Sequence, residues 1–263
     1  MFEIQVRDAS GSVLSSARGE NGASLYYAAP YQPGDVLAFS GDTHHAFIMV
    51  DQALPESLVY LKNRQMAFTV PFGDKKTSYA PQAFAGEKHI LSIHKAPAEE
   101  LQKRRNLACN PIDQRFYGEC FPHASASVET RDEPVFFVKN VLDGLKFNHS
   151  HGEWPYLSWG IADEGDAELT LQFGRPVIID AVAITLRADF PHDSYWTSAL
   201  LTLSDGAVKK LALEKTDGTQ TFSFEEHQVE WLRLDHLERA DDPSPFPSLR
   251  QLEVYGWDAR QNG

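Results

Sequence analysis

The sequence predicts an all-β protein made of two β-sandwich domains, and three features predict it. Short apolar runs alternate with polar residues along most of the chain, 15 Pro and 17 Gly fall largely between those runs, and a single stretch has helical character. Alternation with period two buries one face of a strand and wets the other, and Gly and Pro supply the turns between strands. A chain of 263 residues is long for one core and comfortable for two.

Taken in order, "FEIQVRD" alternates cleanly, and "SLYYAAPY", "DVLAFSG", "AFIMVDQAL", "SLVYLKN", "MAFTVPFG" and "HILSIHKA" follow at short intervals. "QPGD", "GDTHH", "FGDKK" and "FAGEK" are the turns between them. Neighbouring strand residues face opposite ways, so His44 and His45 cannot share a metal, and both are expected at the surface. "PAEELQKRRNLA" (97–108) is the helical candidate, a charged connector. Beyond it, "AELTLQFG", "IIDAVAITLRADF", "ALLTLSDG", "VKKLALEK", "QTFSFEE", "VEWLRLDHL" and "LRQLEVYGW" read as a second set of strands.

Charge divides the chain at the same place. Residues 1–105 hold 11 basic and 11 acidic groups, and residues 106–263 hold 13 and 26, so the whole net charge of −13 lies in the second part. The expected domains are therefore 1–105 and 106–263. An acidic second half repels a phosphate backbone, which argues against nucleic acid as a partner. No stretch approaches the roughly 20 apolar residues of a membrane-spanning helix. "MFEIQVRDASGSV" carries charges where a secretory core would be apolar, so a cytoplasmic location is expected. In a reducing compartment Cys109 and Cys120 are expected to be free thiols.

In the second half the order of segments is informative. "ASASVE", "VFFVKNVLDG", a Trp-containing loop, "AELTLQFGRPVIIDAVAITLR", "LTLSDG", "FSFEEHQVEWLRL" and "SLRQLEVYG" succeed one another. Over about residues 122–257 this order resembles a discoidin or F5/8 type C module of the galactose-binding-like fold. The resemblance implies an antiparallel jelly roll whose loops bind ligands at one end, many of them carbohydrates. It also implies a structural Ca²⁺, with Asp143 of "NVLDG" and Glu253 of "LEVYG" as carboxylate ligands, since hard oxygen donors suit that ion. The chain departs from extracellular members in having no disulfide across the module's ends. Residues 1–105 resemble no family.

Three loops of this second domain are rich in aromatic and hydrogen-bonding groups. "FNHSHGEWPYLSWG" (147–160) admits three readings. His149, His151 and Glu153 are a candidate transition-metal set. Glu153 with Asp189, Asp193, Asp241 or Asp242 is a candidate acid–base pair, which a glycosidase would need about 5–10 Å apart. Trp154 and Tyr156 are a candidate stacking face for a sugar, with Trp159 either joining them or plugging the core. "RADFPHDSYW" (187–196) adds Arg187, Asp189, His192 and Trp196, and "ERADDPSPFP" (238–247) adds Arg239. The expected function is non-catalytic binding of a carbohydrate or glycoside in one cleft lined by Trp154, Tyr156, Arg187, Asp189, His192, Trp196 and Arg239. A glycan-active enzyme using the same loops, or a protein–protein adaptor, are the alternatives. The sugar and the oligomeric state are not encoded in any motif.

Overall fold

The structure is a computed structural model and describes residues 1–116, 118–147, 154–155, 157–162, 164–188 and 194–259. Eight strands precede residue 96: β1 (Phe2–Arg7), β2 (Val13–Gly19), β3 (Gly22–Tyr27), β4 (Val36–Ser40), β5 (His45–Met49), β6 (Ser57–Leu61), β7 (Gln65–Thr69) and β8 (His89–Lys95). A short helix α1 (Ala98–Gln102) leads to β9 (Arg105–Asn106), β10 (Cys120–Phe121), β11 (His123–Ala126) and β12 (Trp159–Gly160). Five longer or regular strands complete the chain: β13 (Leu169–Leu186), β14 (Trp196–Leu203), β15 (Val208–Ala212), β16 (Thr219–Arg239) and β17 (Ser248–Asp258). Every strand pair given for the described residues is antiparallel. The all-β class expected from the alternation is what is found.

The first sandwich packs a sheet ordered β2-β1-β4-β7 against one ordered β10-β6-β5-β8-β3. Alternate residues of each strand, such as Phe2, Ile4 and Val6 of β1 and Leu37 and Phe39 of β4, meet in its core. The second sandwich is a single hydrogen-bonded path, β12-β17-β13-β16-β14-β15, with β11 added to β13 and β9 to β17. Its two longest strands serve both layers. The first part of β13 pairs with β11 and with residues 231–234 of β16, whereas residues 177–186 lie between β17 and residues 219–229 of β16. The bend falls at Gly174, whose φ is +68° and whose missing side chain leaves room for the Phe121 ring, 2.4 Å from where a Cβ would sit. Two segments that read as separate strands are thus one bent strand, and so are "QTFSFEE" and "VEWLRLDHL".

The connector differs from expectation in two ways. The helix covers only Ala98–Gln102, because Arg105 and Asn106 are extended and pair with Gly256 and Tyr255 on the edge of β17. The Arg105 guanidinium instead bonds the helix-end carbonyls of Glu100 (3.2 Å) and Leu101 (3.0 Å). The chain then returns to the first sandwich, where Ile112 and Cys120 enter that core and β10 extends the sheet beside β6. Residues 105–121 therefore stitch the two sandwiches together. Both cysteines are free thiols.

One acidic residue ties this junction. Asp258, at the end of β17, accepts a hydrogen bond from His45 Nε2 (3.0 Å) on β5 and is paired with Arg105 and Arg175. The Arg175 guanidinium also lies over the Tyr60 ring, 5.3 Å from its centroid. His45 is thus an inter-sandwich contact, 15% exposed, and not the surface residue its turn-like neighbourhood implied. Burial works against ionisation of Asp258, but the bonds from His45, Arg175 and Arg105 outweigh it and hold its pKa far below the usual carboxylate range. A depressed pKa stabilises the fold above the unfolded-state value and ceases to do so as pH falls through the folded one. Asp258→Asn is accordingly expected to cost about 3 kcal/mol in urea unfolding at neutral pH. The difference from the parent should shrink as pH drops below about 4. A difference that stays constant through that range would contradict the ionised latch.

Candidate functional site

The stems of the three aromatic-rich loops come together at one end of the second sandwich. Trp159 and Gly160 of β12 pair with Leu249 and Ser248 of β17. Arg187, just past β13, donates its N–H to Ser248 O (2.9 Å). Trp196 at the start of β14 pairs with Arg239 at the end of β16, and Ala240 N–H bonds Tyr195 O (3.0 Å). Between the layers, the Trp159 and Trp196 rings lie 6.2 Å apart, centroid to centroid. The bends in β13 and β16 bring these stems together, since each strand leaves and returns to the same end.

The individual residues do not all face a ligand. Trp196 is 1% exposed and belongs to the core, so its ring offers no stacking surface; the expectation is corrected by simple burial. Trp159 is likewise a core plug, with Nε1 donating to Val128 O (2.9 Å). Trp154 is half-buried and packs both on Val135, Phe136 and Leu157 and on the first sandwich's core. It is a junction residue as much as a loop residue. Arg187 is buried, at 2% exposure. Tyr156, Asp189 and His192 lie outside the described residues, as do His149, His151, Glu153 and Asp193.

Among the described residues, what is open to solvent at this end comes mainly from the 238–247 loop. Arg239 is exposed, with Nη1 donating to Pro245 O (3.3 Å) across the loop. Phe246 is 51% exposed. Asp242 accepts Ser244 N–H (3.0 Å) and pairs with Lys215 Nζ (3.2 Å), and these contacts hold its carboxyl below the ordinary range. That engagement makes Asp242 a loop brace. Phe246 is one of the groups the sequence places in this loop, but among three prolines nothing in the sequence marks it as a stacking residue.

The two carboxylates that the family resemblance implies as calcium ligands each lie against a basic side chain. Arg250 is fully buried and its Nη2 donates to Asp143 Oδ2 (3.1 Å) and Pro155 O (3.1 Å), while Nη1 donates to Asn140 O (3.2 Å). Glu253 pairs with Lys146 (2.5 Å) and accepts from Tyr255 OH (3.0 Å). Each carboxylate thus already faces a cation, and the guanidinium holds the oxygens of the "NVLDG" turn. Among the described residues no third His, Cys, Asp or Glu joins them as a metal ligand.

No protein-family model matches the chain, and no curated protein matches it. Solved structures do. A chitosan-binding module of a chitosanase/glucanase from Paenibacillus sp. IK-5 is 20% identical, with a TM-score of 0.39, over 59% of this chain and 100% of that one. The family 32 carbohydrate-binding module of NanJ from C. perfringens, in complex with galactose, is 18% identical (TM-score 0.38) over 50% of this chain and 91% of that one. A fucose-binding module of Streptococcus pneumoniae is 12% identical (TM-score 0.41) over 59% and 99%. Likeness to such modules therefore extends over about half of the chain. At these values it carries no argument about a ligand.

Two outcomes follow from the geometry. Adding Ca²⁺ or a chelator should leave the melting temperature unchanged. Arg250→Met should cost about 3 kcal/mol by stranding the half-buried Asp143 carboxylate, and Asp143→Asn in the same chain should restore part of it. A chelator-induced fall in melting temperature would reinstate the metal. Trp196→Ala should cost about 3–5 kcal/mol in denaturant unfolding, as for a filled core position, and a near-neutral result would return its ring to the ligand face.

Proposed function

We propose that the protein is a non-catalytic carbohydrate-binding protein, and that the loop end of its second sandwich receives the sugar. The observation that carries this reading is the convergence of the three loop stems, with Arg239 and Phe246 both exposed on one loop and joined through Pro245. A pyranose ring has a face of C–H groups that packs on an aromatic ring, and hydroxyls that need planar donors. Phe246 supplies the first and Arg239 the second. The stiff "DDPSPFP" loop lowers the ordering cost of binding, because three prolines fix its backbone before the ligand arrives. Tyr156, Asp189 and His192 belong to the same loops and complete the proposed cleft.

The reading treats the second sandwich as a galactose-binding-like module of the discoidin type. Chitosan, galactose and fucose, named for the modules that this chain is similar to, are the first ligands to try. On immobilised glycans, the intact chain should be retained, and Arg239→Ala and Phe246→Ala should each weaken retention roughly tenfold with unchanged melting temperature. Both positions are exposed, so neither change threatens the fold. Undiminished retention in both variants would remove the loop end from the binding surface.

A further inference from the structure

The loop end continues toward the first sandwich through a chain of contacts. Ser248, two residues after Phe246, pairs with Gly160. A Cβ on Gly160 would lie 2.6 Å from Thr130 Oγ1, which accepts Ala162 N–H (3.0 Å). Residues 127–133 belong to this same end, because Ala126 at the close of β11 pairs with Leu169 at the start of β13, and Leu169 pairs with Leu234 of β16. In this turn Arg131 (φ +53°) and Asp132 (φ +56°) are both left-handed, a strained conformation for residues with a side chain.

The turn meets an aromatic ring from another segment. Glu129 and Asp132 both pair with Arg115, and Glu129 is fixed in turn by accepting Val138 N–H (2.7 Å). The Arg115 guanidinium lies over the Phe137 ring (4.4 Å to its centroid) and over the Phe116 ring (4.9 Å). Gln114, the residue before, exchanges two hydrogen bonds with the Thr69 backbone at the end of β7 (3.1 and 2.9 Å). Phe116 is thereby held from both sandwiches, yet it is 88% exposed, the most of any large hydrophobic side chain among the described residues. Tyr26, Ile90 and Val208 are exposed on strands, where alternation turns every second residue outward. Phe116 lies in a turn, which a polar residue would serve as well.

The surroundings of the ring narrow its occupant. Arg115 and Arg131 mix there with Glu129, Asp132 and Glu133, so neither an anionic nor a strongly cationic partner is favoured. One ring among charged groups falls far short of the apolar centre of a protein interface. It suits a sugar, whose C–H face stacks on the ring while its hydroxyls meet the exposed Asp132 carboxylate and Arg131 guanidinium. On the reading that the loop end receives a sugar, we infer that the site is extended. A glycan with one unit on Phe246 places a further unit on Phe116, so the ligand class is an oligosaccharide and not a single sugar.

The intact chain is titrated calorimetrically with glucosamine, galactose and fucose, each as the monosaccharide and as linked oligomers up to the hexasaccharide. For the sugar that binds, affinity is expected to rise with length by about tenfold or more. Phe116→Ala should remove most of that rise, lowering hexasaccharide affinity roughly tenfold, whereas Phe116→Trp should preserve it. Phe246→Ala should weaken monosaccharide and hexasaccharide alike. Both positions are exposed, and unchanged melting temperatures report that the variants are folded. An affinity that does not depend on length, or a hexasaccharide affinity undiminished in Phe116→Ala, overturns the extended site and leaves the loop-end sugar standing. Binding of none of the oligomers, or binding indifferent to both Phe246→Ala and Arg239→Ala, overturns the loop-end reading and the extended site together.

Discussion

Inside the second sandwich, two indole rings from opposite layers, Trp159 of β12 and Trp196 of β14, meet 6.2 Å apart. Each stands where its strand begins, so their contact pins the entry of two loops to one end of the barrel of side chains. The bends in β13 and β16 impose the same constraint through the backbone. A strand that serves both layers must turn at one end and present both its termini at the other. The aromatic-rich loops therefore leave from the open end, and the turn at Gly174 lies at the closed one. The loops could not share a surface without that arrangement.

Cationic side chains perform much of the internal fastening in this acidic half. Arg250 holds Asn140, Asp143 and Pro155 from a fully buried position. Arg105 and Arg175, with His45, converge on Asp258 at the junction with the first sandwich. A guanidinium offers five donors in a fixed plane and stays charged when buried, so it can satisfy several carbonyl and carboxylate oxygens at once. In the same region Arg250 and Lys146 lie against the Asp143 and Glu253 carboxylates. At the rim of the loop end, Arg239 braces its own loop in the same way, through Pro245 O.

The amino-acid pattern conveyed the strands and the fold class, because period-two burial is a local property: Phe2, Ile4 and Val6 are buried as their alternation demands. It did not convey that "AELTLQFG" and "IIDAVAITL" are one strand, since the bend depends on Phe121 filling the space over Gly174 from a distant segment. The three loops were recognisable by their composition. Which of their aromatics point outward was not, because Trp154, Trp159 and Trp196 share a polar neighbourhood in sequence while burial is decided by the layers around them. His45 and Asp258 are separated by 213 positions, and no spacing rule links them.

The central claim is that the loop end of the second sandwich holds a neutral sugar. A crystal structure of the intact chain grown with the best-retained glycan addresses it most directly. The account predicts electron density for a pyranose ring packed on Phe246, with hydroxyls within hydrogen-bonding distance of the Arg239 guanidinium. Density for the glycan only away from the 238–247 loop, with Arg239 and Phe246 unmoved and untouched, would contradict it.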